Sequence, residues 1–404
     1  MEAFTLDPSL KNVVYYQYHT YNPYNATFKN NDEIRLPINS QDLYTVPGDS
    51  KIYVEGTIDV ALKSGSTAAD FQYEMTNNAL LYLFEQIKYE INGEEVDRAR
   101  SVGVTSTCKT LLTSSPQELN ALQIAGWGTP IKCASDNTFY GMIPLSMVLG
   151  FNPDVKTPLV RLRQELILIR SRTDKNCYLI KPGCKDKGSI SISLQKVQWI
   201  MPQVKFNLAT EKSLLDKVKN NVSLLLPITS FETFIYPQLP TSDKDTWKLM
   251  TTTNVEAPSY IILVFQTNRS DNEESDASKF DHVNLRSFKV YLNSVCLPYE
   301  ALNENFEKEK YLSFYQNYLN FITDFSNGEK LCEPALTMSR FKSENPMFIM
   351  KCIYEDIIKP GPLDIQIEVE SLKNFPAGTS VYAILIHKSV YAYQTLSGNI
   401  KRIL

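Results

Sequence analysis

The sequence predicts an all-β protein built as two tandem antiparallel eight-stranded jelly-rolls with short helical insertions. The first observation behind this is a repeat: Leu83-Phe84-Glu85-Gln86-Ile87-Lys88-Tyr89-Glu90-Ile91-Asn92-Gly93 is answered by Asn284-Leu285-Arg286-Ser287-Phe288-Lys289-Val290-Tyr291-Leu292-Asn293-Ser294. Each run alternates apolar and polar residues and then meets a turn signal, Asn-Gly or Asn-Ser, as a strand entering a tight turn does. The spacing is about 200 residues, half the chain, which reads as a duplicated domain rather than a short solenoid unit. The second observation is order. Upstream lie the strand-like runs Lys51 to Ile58 and Tyr260 to Thr267, downstream Leu159 to Ile167 and Leu363 to Glu370, and each half closes with an aromatic-rich strand, Ser191 to Val204 and Val381 to Gln394. The third is the lack of alternating strand and helix units, which favours sandwiches over a parallel sheet. A jelly-roll order accommodates all the segments, and sequence does not separate it from another Greek-key order.

In chain order, residues 1–29 read as an N-terminal arm, rich in Tyr and Asn and without a stable period. Tyr15, Tyr16, Tyr18, Tyr21 and Tyr24 make it too aromatic for a disordered tail, so it packs either on its own domain or on a neighbouring subunit. The second use makes the arm matter more to assembly than to subunit folding. Residues 30–205 form the first jelly-roll. It opens with the alternating Glu33 to Ile38, where Pro37 points to an edge or strand end. Pro47-Gly48 is a turn, Ile52 to Val60 a strand, and Ser64-Gly65-Ser66 a loop. Leu80 to Asn92 enters the Asn-Gly turn and Glu94 to Arg100 returns. Ser115-Pro116-Gln117-Glu118 is a capping box with proline at the first helical position, and Gly126 ends that short helix. Strands near Leu159–Arg170 and Ile190–Val204 finish the domain.

Residues 206–221 are a linker whose narrow apolar stripe of Leu214, Leu215 and Val218 suits a connecting helix. Residues 222–404 form the second jelly-roll, opening with strands at Val222 to Ile228 and Phe231 to Tyr236. The acidic stretch 271–276 reads as a solvent-exposed turn, since it lacks the glycine and terminal glutamate of a calcium loop. Tyr311, Phe314, Tyr315, Tyr318, Leu319 and Ile322 keep helical spacing, and Glu307 and Glu309 are expected in the first turn, where they favour the helix dipole.

Composition bounds the function. The 404 residues carry 43% apolar residues and a net charge of −4. That length is ample for two cores, and that charge argues against coating nucleic acid, so no specific nucleic-acid partner is expected. Arg161, Arg163, Arg170 and Arg172 alternate along one strand with Glu165 among them and read as a solvated sheet face. The start, Met1-Glu2-Ala3-Phe4, has none of the features of a secretory signal. Without one, the triplets at Asn25, Asn221 and Asn268 carry no meaning as glycosylation sites. The seven cysteines, Cys108, Cys133, Cys177, Cys184, Cys296, Cys332 and Cys352, are odd in number and scattered, which predicts reduced thiols and synthesis in a reducing compartment.

The residues offer no catalytic constellation. His19, His282 and His387 share no ligand spacing with each other or with a cysteine, and there is no phosphate loop, nucleophile elbow or His-Glu-x-x-His. Glu94-Glu95 follows a tight turn, where exposure is expected. No cofactor and no metal are therefore predicted. A glycosidase, whose two carboxylates can come from anywhere, has no motif in its favour. The candidate interface residues are Tyr15, Tyr16, Tyr18 and Tyr21 on the arm, with Trp127 and Trp247, each expected in a loop. The two tryptophans are also what a tandem β-sandwich carbohydrate- or surface-binding module would use as a platform.

Several segments resemble the double-jelly-roll major capsid proteins, a lineage that includes tectivirus-like phages, adenovirus hexons, virophages and the Polinton or Maverick elements. They are Asp32 to Asn39 with Asp42-Leu43-Tyr44, Phe84 to Val96, Ile143-Pro144-Leu145 leading to Gly150-Phe151, and Val197 to Pro202. They look most like the Polinton and adintovirus branch, insect-associated relatives included. The resemblance runs from about residue 30 to the end and rests on the order of the segments. It implies a homotrimer whose six sandwiches surround a pseudo-sixfold axis and tile an icosahedral shell of a DNA virus or virus-like element. Neighbouring capsomers and penton or minor capsid proteins would be its partners. It also implies a protein that is not an enzyme, resides in the virion capsid, and is made in the host's reducing cytoplasm with assembly there or in the nucleus. The loops are short for a hexon-like member, so large outer towers are not expected.

Overall fold

The computed structural model describes residues 13–25, 27–39, 44–62, 71–128, 137–154, 158–159, 162–182, 184, 188–220, 223–249, 257–293, 295–325, 333–352, 363–394 and 398–403. The first half holds strands β1 (Val13–Tyr21), β2 (Glu33–Ile38), β3 (Lys51–Ala61), β4 (Phe84–Ile91), β5 (Glu94–Arg100), β6 (Thr138–Pro144), β7 (Gln164–Arg170) and β8 (Ser189–Phe206). They form two sheets, ordered β1-β8-β3-β6 and β2-β7-β4-β5. The second half holds β9 (Ser223–Tyr236), β10 (Lys244–Leu249), β11 (Tyr260–Thr267), β12 (Leu285–Leu292), β13 (Val295–Leu297), β14 (Phe348–Lys351), β15 (Ile365–Ser371) and β16 (Thr379–Gln394). Its sheets are ordered β9-β16-β11-β14 and β10-β15-β12-β13, the same order strand for strand. Both halves are therefore jelly-rolls, with the first, eighth, third and sixth strands in one sheet and the second, seventh, fourth and fifth in the other.

The repeated segments occupy equivalent places. Ile91 faces Gln164 and Lys88 faces Ile167 across β4 and β7, as Leu292 faces Ile365 and Lys289 faces Glu368 across β12 and β15. Even the bulges agree, between Phe84 and Gln86 in one half and between Leu285 and Ser287 in the other. A bulge shifts the side-chain alternation by one. In β4 the buried series therefore runs Phe84, then Ile87, Tyr89 and Ile91.

Core packing follows the pleat in β3, where Ile52, Val54 and Ile58 are fully buried. Tyr89 meets Trp199 edge-on across the first core, with ring centroids 6.0 Å apart. β11 departs from alternation because both its faces are covered, and Tyr260 to Gln266 are all buried. Helix Leu312–Phe325 lies over that sheet, with Phe321 packed 4.8 Å from Tyr260 and Phe314 4.8 Å from Phe348.

Several expectations are corrected. The boundary at residue 30 moves, because β1 lies inside the predicted 1–29 arm and is the first strand of the first jelly-roll, paired with β8 from Val13 opposite Phe206 to Tyr21 opposite Trp199. Its sequence shows no alternation because it is an edge strand with both faces largely open. The two strands expected over 222–236 are one continuous strand, β9. Glu307 and Glu309 precede their helix rather than sit in its first turn. Arg170 is not on a solvated face: it is 1% exposed and donates to the Leu83 carbonyl at 2.6 Å and to Asp174 at 2.9 Å. The capping box at Ser115 and the helix Leu208–Lys219 within residues 206–221 are present.

Candidate assembly surface

The joint between the jelly-rolls is organised by helix α1 (Val102–Thr113), which the sequence does not announce. Apart from Lys109, Leu111 and Leu112, its residues VGVTSTCKTLLT are β-branched, hydroxylated or small, poor signals for a helix, and Val102 through Leu112 are all buried. Some of the hydroxyls bond back within the helix, Thr107 to the Gly103 carbonyl at 2.8 Å and Thr113 to that of Lys109 at 2.8 Å, while Thr110 Oγ1 is buried without a partner. Gly103 is required by close packing, since a Cβ there would lie 2.2 Å from the Tyr82 ring.

This helix and its neighbours contact the second jelly-roll directly. Thr105 Oγ1 lies 2.6 Å from Thr233 Oγ1, Tyr318 donates to the Leu111 carbonyl at 3.1 Å, and Tyr82 donates to the Ala277 carbonyl at 2.6 Å. Lys109 is buried in the joint, with Nζ 2.7 Å from the Leu149 carbonyl and 5.2 Å above the Phe231 ring. Burial draws its pKa down to about 8, against the pull of Asp97 and Asp154. Burial pushes the Asp97 carboxyl up, opposed by the N–H groups of Phe151 and Arg98, each 2.9 Å away.

The first strand of the second jelly-roll is covered along this joint. Asp154 accepts the Thr229 N–H at 2.5 Å, and a Cβ on Gly150 would stand 1.7 Å from the Thr229 carbonyl oxygen. Arg98 sits 3.8 Å from Glu232. The acidic stretch 271–276 is a turn as expected, with Asp271 and Glu274 exposed, and it also contributes to the joint. Glu273 accepts the Ile180 N–H at 2.7 Å, and Asp271 takes the Thr173 hydroxyl at 3.0 Å and pairs with Arg172 at 3.3 Å.

The four predicted tyrosines come together on β1. Tyr15, Tyr16 and Tyr18 are exposed, and Tyr21 is half-buried and receives a hydrogen bond from Gln203. Tyr16 and Tyr18 meet edge-to-face at 5.7 Å, Lys51 Nζ lies 5.7 Å over Tyr18, and Tyr16 donates to Asp49 at 3.3 Å. The tryptophans do not join them. Trp127 is buried at 5% exposure, and Trp247 is in strand β10 rather than a loop, stacked on Tyr236 at 5.4 Å. Trp127 therefore offers no open ring face to a sugar, and one face of Trp247 is taken up by Tyr236. Sequence reasoning missed the exposed Val295, Tyr299 and Leu312, which follow the second repeated turn. A Pro-Tyr dipeptide just beyond that hairpin was the available signal.

Among the described residues, no three His, Cys, Asp or Glu side chains gather as a metal site would require. Cys108, Cys177, Cys184, Cys296 and Cys352 are unpaired, while Cys133 and Cys332 lie outside the described residues.

No curated protein matches the chain. Among solved structures, it is similar to the mavirus major capsid protein at 12% identity, with a TM-score of 0.58 over 100% of this chain and 92% of that one. The Sputnik virophage structure aligns at 10% identity and a TM-score of 0.62, covering 100% of this chain and 91% of its own. The Faustovirus major capsid protein aligns at 10% identity and 0.56, over 93% and 90%. The family model of the double jelly roll-like domain matches residues 73–391. With most of its length inside that match and two complete jelly-rolls in one strand order, the chain belongs to the double jelly roll-like domain family.

Proposed function

We propose that this chain is a noncatalytic major capsid protein that forms trimeric, pseudo-hexagonal capsomers of an icosahedral virus or virus-like element. The observation that carries the reading is the duplication itself: two eight-stranded jelly-rolls of one strand order, joined by a buried helix. A threefold ring of such chains presents six similar sandwiches, so a trimer fills a hexagonal tile and a shell can be built from one kind of subunit. The likeness in fold to capsid proteins of mavirus and Faustovirus supports it. The polar groups near the joint also favour a structural part, since Arg172 pairs with Asp271 of the other half and Arg170 with Asp174 four residues on.

The finer features of this reading are membership of the Polinton and adintovirus branch, contact with neighbouring capsomers and penton or minor capsid proteins, and assembly from chains made with reduced thiols. The carbohydrate-binding alternative loses Trp127 to burial and one face of Trp247 to the stack with Tyr236. Size-exclusion chromatography with light scattering tests the proposal on the full chain, followed by electron microscopy of concentrated protein. A mass of three 46.1 kDa chains and ring-shaped particles are expected. A monomer that persists at high concentration overturns the reading.

A further inference from the structure

Helix α1 begins with donors that the protein does not satisfy. The N–H groups of Val102, Gly103 and Val104 open the helix, and none of them has an acceptor among the described residues. Ser101 stands at the N-cap with a left-handed φ of 45°, its hydroxyl makes no cap, and the first turn carries no acidic residue. All three residues are buried, so the end is not simply solvated at an open surface. A buried helix end of this kind is costly, because each donor gives up a hydrogen bond to water on folding. The second jelly-roll meets the same need with a carboxylate. In the helix Leu312–Phe325, which follows β13 as α1 follows β5, the Ser313 N–H is accepted by the buried Glu304 at 3.2 Å.

The bare end of α1 faces a cleft of about 630 Å³ between the jelly-rolls, whose wall takes in Ser101 to Val104 in succession. Arg170 belongs to the same wall and is an independent sign of a ligand there. Its side chain is fully buried, with one terminal nitrogen on the Leu83 carbonyl and the other on Asp174, yet its Nε–H has no acceptor. An unpaired buried guanidinium donor is stabilised only when something completes it. Arg172, largely exposed, also lines the cleft. The other charged side chains of the wall are Asp271 and Glu85. Asp271 is already engaged by Arg172, Thr173 and Asn176. Burial, with Asp271 nearby, pushes the Glu85 carboxyl up towards its neutral form. The wall then carries two guanidinium groups and the positive end of a helix dipole against one engaged carboxylate.

We propose that this cleft binds a phosphate or sulfate group through the N–H groups of α1 together with Arg170 and Arg172. A tetrahedral oxyanion suits a helix N-terminus because several N–H donors converge on it and the dipole favours its charge. The cleft has the size of a small-molecule site and is several times larger than a bare anion. Its apolar wall, with Tyr82, Ile235 and Tyr382, takes the organic part of a phosphate or sulfate ester.

The test is isothermal titration of the full chain with inorganic phosphate, inorganic sulfate, adenosine monophosphate and a sulfated disaccharide, which separates the free anions from their esters. At least one ester is expected to bind, and more tightly than its free anion. No binding by any of the four at millimolar concentration overturns the proposal, and so does a free anion that binds as tightly as both esters. Ser101→Asp sets a carboxylate of the protein against the bare donors, at a position where aspartate tolerates the left-handed backbone. It is expected to weaken binding by about tenfold or more while the melting temperature holds or rises. Arg172→Gln is expected to weaken binding as well, and Glu85→Gln to strengthen it, a gain that a merely structural residue would not give. Both side chains are exposed enough for those variants to fold, so they carry the test even where Ser101→Asp does not. Binding that none of the three variants changes places the anion elsewhere and overturns the proposal. None of these readouts depends on oligomeric state, so the capsid reading stands or falls separately.

Discussion

Asn92 holds Arg163 in both directions: its N–H donates to the Arg163 carbonyl at 2.8 Å, and its side-chain oxygen accepts the Arg163 N–H at 3.0 Å. Asn293 holds Asp364 in the same way, at 2.8 and 2.9 Å. Both asparagines are left-handed, with φ of 52° and 53°, a conformation asparagine adopts more readily than most residues. Each hairpin turn is thus also a strap that fixes the fourth strand of its jelly-roll against the seventh. The strap uses only backbone at the far side, so arginine in one half and aspartate in the other serve equally.

Replacing either asparagine by alanine removes the side-chain half of the strap and leaves a left-handed residue with a Cβ. Asn92→Ala and Asn293→Ala are each expected to lower stability by about 1–2 kcal/mol. Glycine at the same positions restores the backbone freedom without the hydrogen bond and should fall between. Urea midpoints of the four variants measure this, and a loss at only one of the two sites would break the equivalence of the turns.

The repeated strands were legible because each is amphipathic and ends in a turn with its own chemistry. Pro37 marked an edge, and β2 is one. The capping box at Ser115 named a helix to the residue. What stayed hidden shares one physical cause, burial that does not alternate. Helix α1 is covered on every side, so its hydroxyl-rich sequence carries no stripe, and only the lone Lys109 in an otherwise uncharged run hinted at a special place. β1 is open on both faces and shows no pattern either. The arm tyrosines could be picked out by type, but the exposure of Val295, Tyr299 and Leu312 shows only in the folded chain.

Gly150→Ala tests the joint. The added methyl would stand 1.7 Å from the Thr229 oxygen and 2.6 Å from its carbonyl carbon, both backbone atoms of a paired strand. β9 must shift to admit it, at a cost of about 3 kcal/mol. The expected signs are a biphasic calorimetric transition, as the jelly-rolls unfold separately, and faster proteolysis within the helix Leu208–Lys219. An unchanged single transition would show that the joint yields there without strain.

Lys109 predicts a pH dependence at the alkaline side. Its folded pKa of about 8 lies below the ordinary lysine value of 10.5, so between those limits the unfolded chain holds a proton that the folded chain has released. Stability therefore rises with pH across that window, and below pH 8 the cost of the buried charge stands in full. The gain is on the order of a few kcal/mol. Burial pushes Asp97 upward, so its contribution has the opposite sign, favouring stability as pH falls rather than as it rises. Lys109→Met should remove the rise, seen as the difference between the two proteins' denaturation midpoints from pH 7.5 to 10. Parallel profiles would mean that the amine is not the group responsible.

Deleting residues 1–28 separates the two roles of the first strand. Its backbone belongs to the fold: without β1, the β8 residues from Trp199 to Phe206 lose the partners they have from Tyr21 to Val13, and β8 is left with an unpaired edge over that stretch. The earlier expectation that this segment matters more to assembly than to folding therefore reverses for the backbone. The truncated chain should lose several kcal/mol and the cooperative transition of the first jelly-roll, while the second, with all its own strands, keeps its protection in hydrogen exchange. The side chains belong to the surface. Tyr16→Glu with Tyr18→Glu keeps the ladder intact, since strand pairing uses only main-chain groups, and should melt within a few degrees of the wild type while failing to associate. A truncated chain that melts as the wild type does would show that β1 stabilises nothing, and a double variant that unfolds would show that the tyrosines are part of the core after all.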